Sequence, residues 1–493
     1  MDRILCLLIY MISAFSGSAK VLVRVLPGSY EEWEPGKKLK ILLVGYNGAR
    51  NTGSDVRVAA IAKQVKALFE EKQENALFGE EQENTLFGGD QVQITVMTLD
   101  AGSLEGYFDQ DVELYSFSSL FPFSLYHACS THHAAILCEG STLKSTFANA
   151  LTMFLCEAAG VMAGQGKPCI AYGSEVGTME PFLERAARRL CRDTYFITRT
   201  RESLAALQRL GLHGHAGTDA AWFYDGAIPA QEAEELLRKQ GWDGKKPLLG
   251  IAVINPFCWP VRASLYKWFR GLIDGDLAGQ YDKWYFFSDS PGRREAYRRY
   301  IRAFAAGTRA FLKKQDYFPV LIGMEKLDAK ACRALQARLS CPGAVFLSGD
   351  CSADIMTGIL HRLSLLVTSR YHAAVLSMEG ACPIVAVSMD ERLDGIMYEL
   401  GYDRDYLLHV TEEDLGRKIY RALTAARADQ EAIHRHILEQ RAHYLETLEE
   451  MGAFLKNYLQ EGLQAQRKEK GLISAFLAMN GTVAKRTIHF DAF

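Results

Sequence analysis

A hydroxyl and two potential cations stand where an apolar segment of this sequence ends. Residues 364–369 read SLLVTS, so Ser369 closes the segment, and Arg370 and His372 follow it. The apolar run predicts a buried strand, and the small residues after it predict a helix. A guanidinium at a helix start can hold a carboxylate or phosphate, and a histidine can donate a proton near neutral pH. The plainer alternative is a surface ion pair beside a packing histidine.

A glycine-rich turn follows the first apolar strand candidate. The segment 45–55 reads GYNGARNTGSD, and we expect a helix to begin at its end, at Ser54 or Asp55. Glycines allow backbone amides to approach an anion or a sugar closely, and a helix start supplies free N–H groups. The spacing differs from G-x-G-x-x-G, so a nicotinamide dinucleotide is not indicated. A tight turn without a ligand is the alternative. The residues concerned are Gly45, Gly48, Asn51 and Gly53.

Apolar runs alternate with helical stretches along most of the chain. Continuous apolar strands separated by helices predict parallel sheets that are covered on both faces. The series restarts after a polar stretch at 225–246, which we interpret as a domain boundary. The predicted strands are 39–45, 92–99, 134–140, 168–173 and 194–200, followed by 247–254, 283–289, 317–324, 343–349, 364–369 and 382–388.

This order predicts an α/β protein with two Rossmann-like domains whose parallel sheets face a central cleft at the carboxyl ends of the strands. Helical periodicity after residue 410 adds C-terminal helices. The predicted parts are an apolar or amphipathic N-terminal extension (1–38), an N-terminal domain (39–235), a C-terminal domain (246–410) and a C-terminal helical extension (411–493).

Composition excludes several classes of protein. The 56 basic and 59 acidic residues give a net charge of −3, and no basic run suggests nucleic acid. The 11 cysteines are dispersed without a C-x-x-C pair, which favours reduced cytosolic thiols and predicts no metal site. The unit E-N-x-L-F-G occurs at Glu74 and again at Glu83 within a segment, 74–90, that we interpret as an acidic surface insertion or an interaction hairpin.

The N-terminus carries a short apolar stretch at 4–15, too short for an ordinary membrane span. A cleaved signal peptide, a partial anchor and an uncleaved helix are the alternatives. We favour a cytoplasmic protein whose residues 1–19 stay attached and pack on the protein or make peripheral contact with the inner membrane face.

The motifs together resemble the polysaccharide pyruvyl transferase family. The similarity extends over about residues 39–405, and it rests on the order of five short segments. The segments are the glycine turn at 45–53, an Arg-x-x-x-Ser pattern at 199–207, an aspartate before small residues at 219–221, R-Y-H-A at 370–373 and G-A-C-P at 380–383.

Three departures from the family pattern are visible. Ser54 stands where the family usually has aspartate, and Thr200 stands directly after Arg199 where the family pattern R-D-x-x-S has aspartate. The third strand is followed by Glu139 and Ser141 in place of a glycine triplet.

The resemblance implies a GT-B-like fold and a transferase that moves the pyruvyl group of phosphoenolpyruvate to sugar hydroxyls. The product would be a pyruvate ketal on a cell-surface glycan or its precursor, with release of phosphate. Phosphoenolpyruvate is the donor substrate, a glycan or lipid-linked sugar is the acceptor, and no cofactor, metal or nucleic acid is implied. The alternatives are a GT-B glycosyltransferase that uses a nucleotide-sugar, or a non-catalytic family member.

The resemblance also suggests roles for individual residues. His372 would act as the general acid, and the neighbouring charge of Arg370, which would bind the donor, is expected to lower the pKa of His372. Asp390 and Arg392 would orient acceptor hydroxyls, or Asp390 would only cap the following helix. The remaining substrate-binding candidates are Arg199, Gly45, Gly48, Asn51, Gly53, Glu139 and Ser141.

We therefore expect residues 1–19 to remain on the native protein and to give weak, reversible membrane binding. Edman sequencing of the native protein should then begin at or near Met1. A sequence that begins at Lys20 would contradict this expectation and would place the protein outside the cytosol.

Overall fold

The computed structural model describes residues 30–70, 92–109, 111–116, 121–264, 266–267, 270 and 285–487. The apolar segment 1–19 and the duplicated segment 74–90 lie outside these residues. Within the described part of the chain, no helix has both the length and the apolar character that a membrane span requires.

The first domain is built on a seven-stranded parallel sheet with the order β3-β2-β1-β4-β5-β6-β7. Its central strand β1 pairs with β2 on one side and β4 on the other. The central strands are almost fully buried, as the continuous apolar runs predict. The strands are β1 (Leu39–Val44), β2 (Val92–Thr98), β3 (Val112–Ser116), β4 (Ala134–Leu137), β5 (Cys169–Ser174), β6 (Tyr195–Thr198) and β7 (His213–Ala216).

Helices cover both faces of this sheet, as right-handed crossovers between parallel strands require. The helix after β1 begins at Thr52, two or three residues earlier than expected, because the Asn51 side chain accepts hydrogen bonds from the amides of Gly53 and Ser54. The helices are α1 (Thr52–Glu70), α2 (Phe121–Thr131), α3 (Asn149–Gly164), α4 (Pro181–Leu190) and α5 (Arg201–Arg209).

The second domain has a six-stranded parallel sheet with the order β12-β11-β8-β13-β14-β15. Its main strands are β8 (Leu248–Ala252), β11 (Phe318–Gly323), β12 (Ala344–Leu347), β13 (Leu365–Thr368), β14 (Ile384–Ser388) and β15 (Leu407–His409). The helices after the first domain are α6 (Ala230–Lys239), α7 (Pro291–Leu312), α8 (Ala329–Leu339), α9 (Ala353–His361), α10 (Tyr371–Ser377), α11 (Glu391–Glu399), α12 (Leu415–Ala428) and α13 (Gln430–Thr487). The prediction of two α/β domains with parallel sheets and C-terminal helices is confirmed.

The predicted strand at 283–289 is wrong. Among the described residues of this segment, only Tyr285–Phe286 are extended; they form β10 and pair antiparallel with β9 (Arg262–Ala263), away from the main sheet. The aromatic run therefore reflects a small ribbon and not a core strand. Three short edge strands, β3, β7 and β15, were not predicted, because edge strands carry little of the continuous apolar pattern of central ones.

The last helix returns to the first domain. The ring of Tyr444 on α13 stacks on Trp222, with ring centroids 4.7 Å apart. Farther along, Tyr458 donates a hydrogen bond to the carbonyl of Cys169 at 3.0 Å, and Met451 lies against the amide of Thr218. The C-terminal helix thus ties the end of the chain to the N-terminal sheet.

The carboxyl ends of the two sheets meet. The turn after β1 docks on the loop after β11, where the Thr52 amide donates to the carbonyl of Met324 at 2.9 Å and the Lys326 amide donates to the carbonyl of Arg50 at 3.1 Å. The hydroxyl of Ser348 also donates to the Arg50 carbonyl at 2.8 Å. Side chains that leave the strand ends of both domains therefore share one space.

Two buried histidines before β4 predict acid sensitivity. Burial lowers the pKa of both His132 and His133 to about 4, and Nδ1 of His133 accepts a hydrogen bond from the Lys40 amide at 3.0 Å. Protonation of that nitrogen would break the bond at the start of β1. In the unfolded chain each histidine binds its proton near pH 6.5. Above that pH both histidines are neutral in either state, so they cost the folded protein no stability. Stability is lost as the pH falls toward 4, by roughly 2–3 kcal/mol per histidine.

Urea denaturation at pH 7 and pH 5 should show this loss as a lower midpoint in acid. His133→Gln retains an acceptor for the Lys40 amide but does not titrate, so the variant should lose less stability between the two pH values. An equal loss in the variant and the unmodified protein would contradict the assignment to His133.

Candidate functional site

A small cavity lies where the strand ends of the two domains meet, and we call it the central cavity. Its volume is about 50 Å³. Its walls come from the turn after β1, the loops after β4 and β6, and the segments after β11, β13 and β14. The lining residues are Asn51, Gly53, Ser54, Glu139, Gly140, Ser141, Arg199, Met324, Arg370, Tyr371, His372 and Arg392.

Most of the residues predicted from the sequence lie in this lining, and three do not. Gly45 packs against the sulfur of Cys138, which a Cβ at position 45 would approach to 2.8 Å. Gly48 has a φ of +74° and leaves no room for a side chain beside Thr98. Asp390 lies behind the cavity, where it caps α11. These three support the walls and do not face the space.

The glycine turn allows the two domains to come into close contact. Its amides at Gly53 and Ser54 already donate to Asn51 Oδ1, at 3.1 and 3.3 Å, so they are not free for a ligand. A Cβ at position 53 would overlap Nδ1 of His372. Glycine at this position is therefore what allows the imidazole of the second domain to reach the first turn of α1.

Glu139 is fixed by backbone hydrogen bonds. Its Oε2 accepts from the Tyr46 amide and its Oε1 from the Ser141 amide, both at 3.1 Å. The carboxylate thus joins the turn after β1 to the loop after β4. Like Arg370, it lines the central cavity.

Arg370 is held by two carboxylates from the loop after β11. Its Nε donates to Asp328 Oδ2 at 2.8 Å, while its Nη2 donates to Asp328 Oδ1 at 2.5 Å and to Glu325 Oε2 at 2.8 Å. Burial raises the pKa of Asp328 to about 6, although Arg370 opposes the shift. Nη1 makes none of these bonds, so it is the atom that a ligand in the cavity could reach. Removal of Arg370 would leave two buried carboxylates uncompensated.

Arg199 is enclosed by three groups. Its Nη1 donates to Asp219 Oδ2 at 3.0 Å, its Nη2 pairs with Glu175, and its guanidinium lies 4.4 Å from the centre of the Tyr371 ring. Arg57 from α1 reaches the other oxygen of Asp219, with 2.5 Å between Nη1 and Oδ1. Burial alone would raise the pKa of Asp219, but Arg57, His372 and Arg199 hold it well below its usual range.

His372 lies at the edge of this charge cluster. Its Nε2 is 3.7 Å from Asp219 Oδ2, which is too far for a hydrogen bond but close enough for electrostatic attraction. Burial lowers the pKa of His372 to about 4, Asp219 opposes the shift, and the cations that add to it are Arg199 and Arg57. The imidazole is therefore neutral at pH 7. The pKa of His372 is lowered, as expected, but the main cause is burial, and the charge of Arg370 is paired with Asp328 and Glu325.

Arg392 closes the cavity from the start of α11. Its Nε and Nη2 bind the Asp390 carboxylate, with Nη2 2.6 Å from Oδ2, and its guanidinium lies 4.3 Å from the centre of the Phe147 ring of the first domain. Burial would raise the pKa of Asp390, but Arg392 and Lys144 depress it. Asp390 accepts from the Arg392 amide at 3.0 Å, so it does cap the helix.

Six charged residues of this site were missed as site residues in the sequence: Arg57, Lys144, Glu175, Asp219, Glu325 and Asp328. Arg57 lies between two valines on α1, and Lys144 lies in a loop of small polar residues. Glu175 follows β5, and Asp219 was recognised only as part of a motif. Their position after a strand could have indicated some of them, because the residues that follow β5, β6 and β7 must be neighbours at one edge of a parallel sheet.

A family of known proteins matches the part of the chain that contributes much of this site. Residues 158–391 match the family model described as polysaccharide pyruvyl transferase, a range that includes Arg199, Asp219, Arg370 and His372. The resemblance seen in the sequence is thereby confirmed, over a shorter span than expected. A search of curated proteins gave no significant match.

Three solved structures are similar to this chain at low sequence identity. The HepE protein of Anabaena in complex with UDP-glucose is 12% identical, with a TM-score of 0.51 over 85% of this chain and 100% of that chain. The UDP-GlcNAc 2-epimerase of Neisseria meningitidis, bound to UDP-GlcNAc, is 9% identical, with a TM-score of 0.48 over 84% and 100% of the two chains. MnaA of S. aureus with UDP is 13% identical, with a TM-score of 0.49 over 81% and 90%. The Anabaena likeness shows the GT-B fold.

Gly53→Ala should displace His372 from its buried position. The new methyl group would occupy the space of the imidazole, so the ring would move toward solvent and its pKa would rise from about 4 toward the ordinary value of about 6.5. A pH titration of the imidazole NMR signals would measure the change. Gly102→Ala is the control, because its Cβ would meet only Asp100 Oδ1 at 3.5 Å. An unchanged titration in Gly53→Ala would mean that the imidazole does not rest on Gly53.

Proposed function

Because residues 158–391 match the polysaccharide pyruvyl transferase family, we propose that this protein transfers the pyruvyl group of phosphoenolpyruvate to a pair of hydroxyls on a sugar. The acceptor is a cell-surface glycan or its precursor, and the product is a pyruvate ketal. The observation that carries the proposal is the convergence of Arg370, Arg392 and His372 on one cavity between the two domains.

The chemistry of this donor suits such a cavity. Phosphoenolpyruvate is a small trianion, and guanidinium groups bind carboxylate and phosphate with directed, charge-assisted hydrogen bonds. Nη1 of Arg370 and Nη1 of Arg392 are the donors not used in the internal ion pairs described above. Arg199 uses Nη1 and Nη2 to hold Asp219 and Glu175 in place, while its buried Nε makes no hydrogen bond within the described residues.

The reaction requires one proton on the methylene carbon of the donor. In the proposed sequence, protonated His372 gives that proton, and the carbon that bears the phosphate becomes oxocarbenium-like. A sugar hydroxyl adds to it and loses its proton, the C–O bond to phosphate breaks, and the second hydroxyl adds and loses its proton. One of the two released protons restores the imidazolium and the other leaves with the phosphate, so the protons balance.

The neutral state of His372 in the free protein gives the donor a second role. A trianion beside the imidazole raises the pKa of the ring, and Asp219 at 3.7 Å stabilises the imidazolium that results. Donor binding thus brings about the uptake of the catalytic proton. Without the donor, or without the Asp219 carboxylate, the histidine would stay neutral.

The size of the central cavity implies movement. Its volume of about 50 Å³ is far below the roughly 300–1,000 Å³ of ordinary small-molecule sites. The donor therefore enters when the domains are farther apart than in this structure. The contacts between the glycine turn and the loop after β11 are a few hydrogen bonds, which such a movement could break and remake.

His372→Gln should lower turnover by about a hundredfold to ten-thousandfold, the usual contribution of a general acid, while the affinity for phosphoenolpyruvate changes little. Phosphate release across a panel of sugar acceptors measures turnover, and calorimetry measures donor binding. His213→Gln is the control, because His213 is exposed and lies at the start of β7, at the end of the strand away from Asp219.

The pH dependence follows from the pKa shifts. In the unmodified protein kcat should fall on the alkaline side, because the imidazolium in the complex deprotonates. That limb should lie at higher pH than the limb of kcat/KM, which reports the free protein with its pKa of about 4. His372→Gln with normal turnover and an unchanged profile would overturn the assignment. Sugar transfer from UDP-glucose, without phosphate release from phosphoenolpyruvate, would replace the proposed function by a nucleotide-sugar one.

A further inference from the structure

A second, larger cavity adjoins the central one, and we call it the side pocket. It has a volume of about 690 Å³, within the range of small-molecule sites. Its walls are the loop after β5, one face each of α4 and α5, and Glu391 from the second domain. Pyruvyl transfer in the central cavity involves only the wall that the two cavities share, which we call the inner wall.

The side pocket and the central cavity share a charged wall. Glu175 and Glu391 both line the side pocket, and both bind Nζ of Lys144, at 2.6 and 2.9 Å. The other oxygen of Glu175 pairs with Arg199, which lines the central cavity. Arg392, next to Glu391, also lines the central cavity. One bridge of side chains therefore separates the two spaces, and a molecule in the side pocket would lie beside the reacting donor.

Charge is divided along the length of the side pocket. Glu175, Glu391 and Glu202 lie near its inner wall, whereas both arginines of the lining, Arg188 and Arg209, lie in the last turns of α4 and α5. A fourth carboxylate of the lining, Glu184, lies one turn before Arg188 on α4. Residues 202 and 209 are about 10 Å apart along α5, at 1.5 Å per residue. The Nη2 of Arg188 donates to the carbonyl of Arg209 at 3.3 Å, so the two cationic side chains belong to one end.

From these observations we propose that the side pocket binds the sugar acceptor, and that the acceptor carries an anionic group, a phosphate or a carboxylate. The hydroxyls that react lie toward Glu175 and Glu391, where carboxylates can accept their hydrogen bonds. The anionic group lies at the other end of the pocket, on Arg188 and Arg209. This assignment rests on the proposed function, because it identifies the ligand as the acceptor of that reaction.

A neutral sugar matches the lining of the side pocket less well than an anionic one. Within its described lining there is no aromatic side chain on which a sugar ring could stack. Recognition must then come from polar groups, and the two arginines are the groups of the lining that can bind an anionic part of the ligand. A nucleotide base would likewise find no aromatic side chain to stack on within this described lining.

The test measures sugar binding in the absence of donor. The probes are lactose, lactose 1-phosphate and lactobionate, which share a terminal galactose and differ in having no anionic group, a phosphate or a carboxylate. Calorimetry with the full chain should show at least one anionic probe binding about tenfold or more tighter than lactose. Whichever anion binds tighter identifies the phosphate or the carboxylate as the natural group.

Arg188→Ala and Arg209→Ala should each reduce this preference by about tenfold to a hundredfold. Both side chains are exposed, so folding should not depend on them. Arg185→Ala is the matched control, because this exposed arginine also lies on α4 but does not line the pocket. Glu202→Gln should weaken all three probes by a similar factor.

Two results would overturn the assignment: equal binding of all three probes, or an anion preference that survives in both arginine variants. Because donor is absent, these results are independent of pyruvyl transfer. Phosphate release with an unchanged acceptor KM in Arg188→Ala and Arg209→Ala would refute the side pocket but retain the proposed function. Arginine-dependent binding without phosphate release would do the reverse.

Discussion

A single buried carboxylate, Asp219, is the group on which the site depends. It lies at the end of β7 and binds Arg57 from α1 with one oxygen and Arg199 from the end of β6 with the other. Burying one charge of this kind costs several kcal/mol unless partners compensate it, and removal of one member of such a network typically costs about 3–5 kcal/mol. The strands, the helix and the loops must therefore all be in place before the site exists. The same carboxylate is the anion nearest to His372.

The charges around the central cavity are arranged in closed pairs. Arg370 is bound by Asp328 and Glu325, Arg392 by Asp390, and Arg199 by Glu175 and Asp219. Such pairs hold guanidinium groups rigidly, which reduces the ordering that a ligand must cause. They also leave little uncompensated positive charge in the empty site. A trianionic ligand is therefore recognised by the directions of the remaining N–H groups and not by a strong overall field.

The sequence was most informative where the signal is local. The apolar runs gave the central strands of both sheets, and Arg370 and His372 were placed correctly at the end of one of them. The partners of these residues could not be predicted, because Asp328 and Glu325 follow a different strand and are brought to Arg370 only by the order of the second sheet.

The glycine turn illustrates the same limit. Its composition was correctly recognised as a point of close approach, but the group that approaches is an imidazole of the other domain and not the backbone contact to a ligand that was expected. The aromatic run at 283–289 resembled a core strand because composition alone does not distinguish a buried strand from a two-residue ribbon. Long-range pairing decides such cases, and it leaves no mark within a short window of sequence.

The return of α13 to the first domain affects how the protein is made. During synthesis the N-terminal sheet emerges first, yet Trp222 and the backbone of Cys169 find their partners Tyr444 and Tyr458 only after more than two hundred further residues have been added. At about 5–20 residues per second, the ribosome needs roughly ten seconds or more to supply that helix. Over this interval the nascent domain exposes an apolar face that the finished protein covers. A chain shortened from its C-terminus would keep that face permanently, which makes truncated products natural substrates for chaperones and proteases.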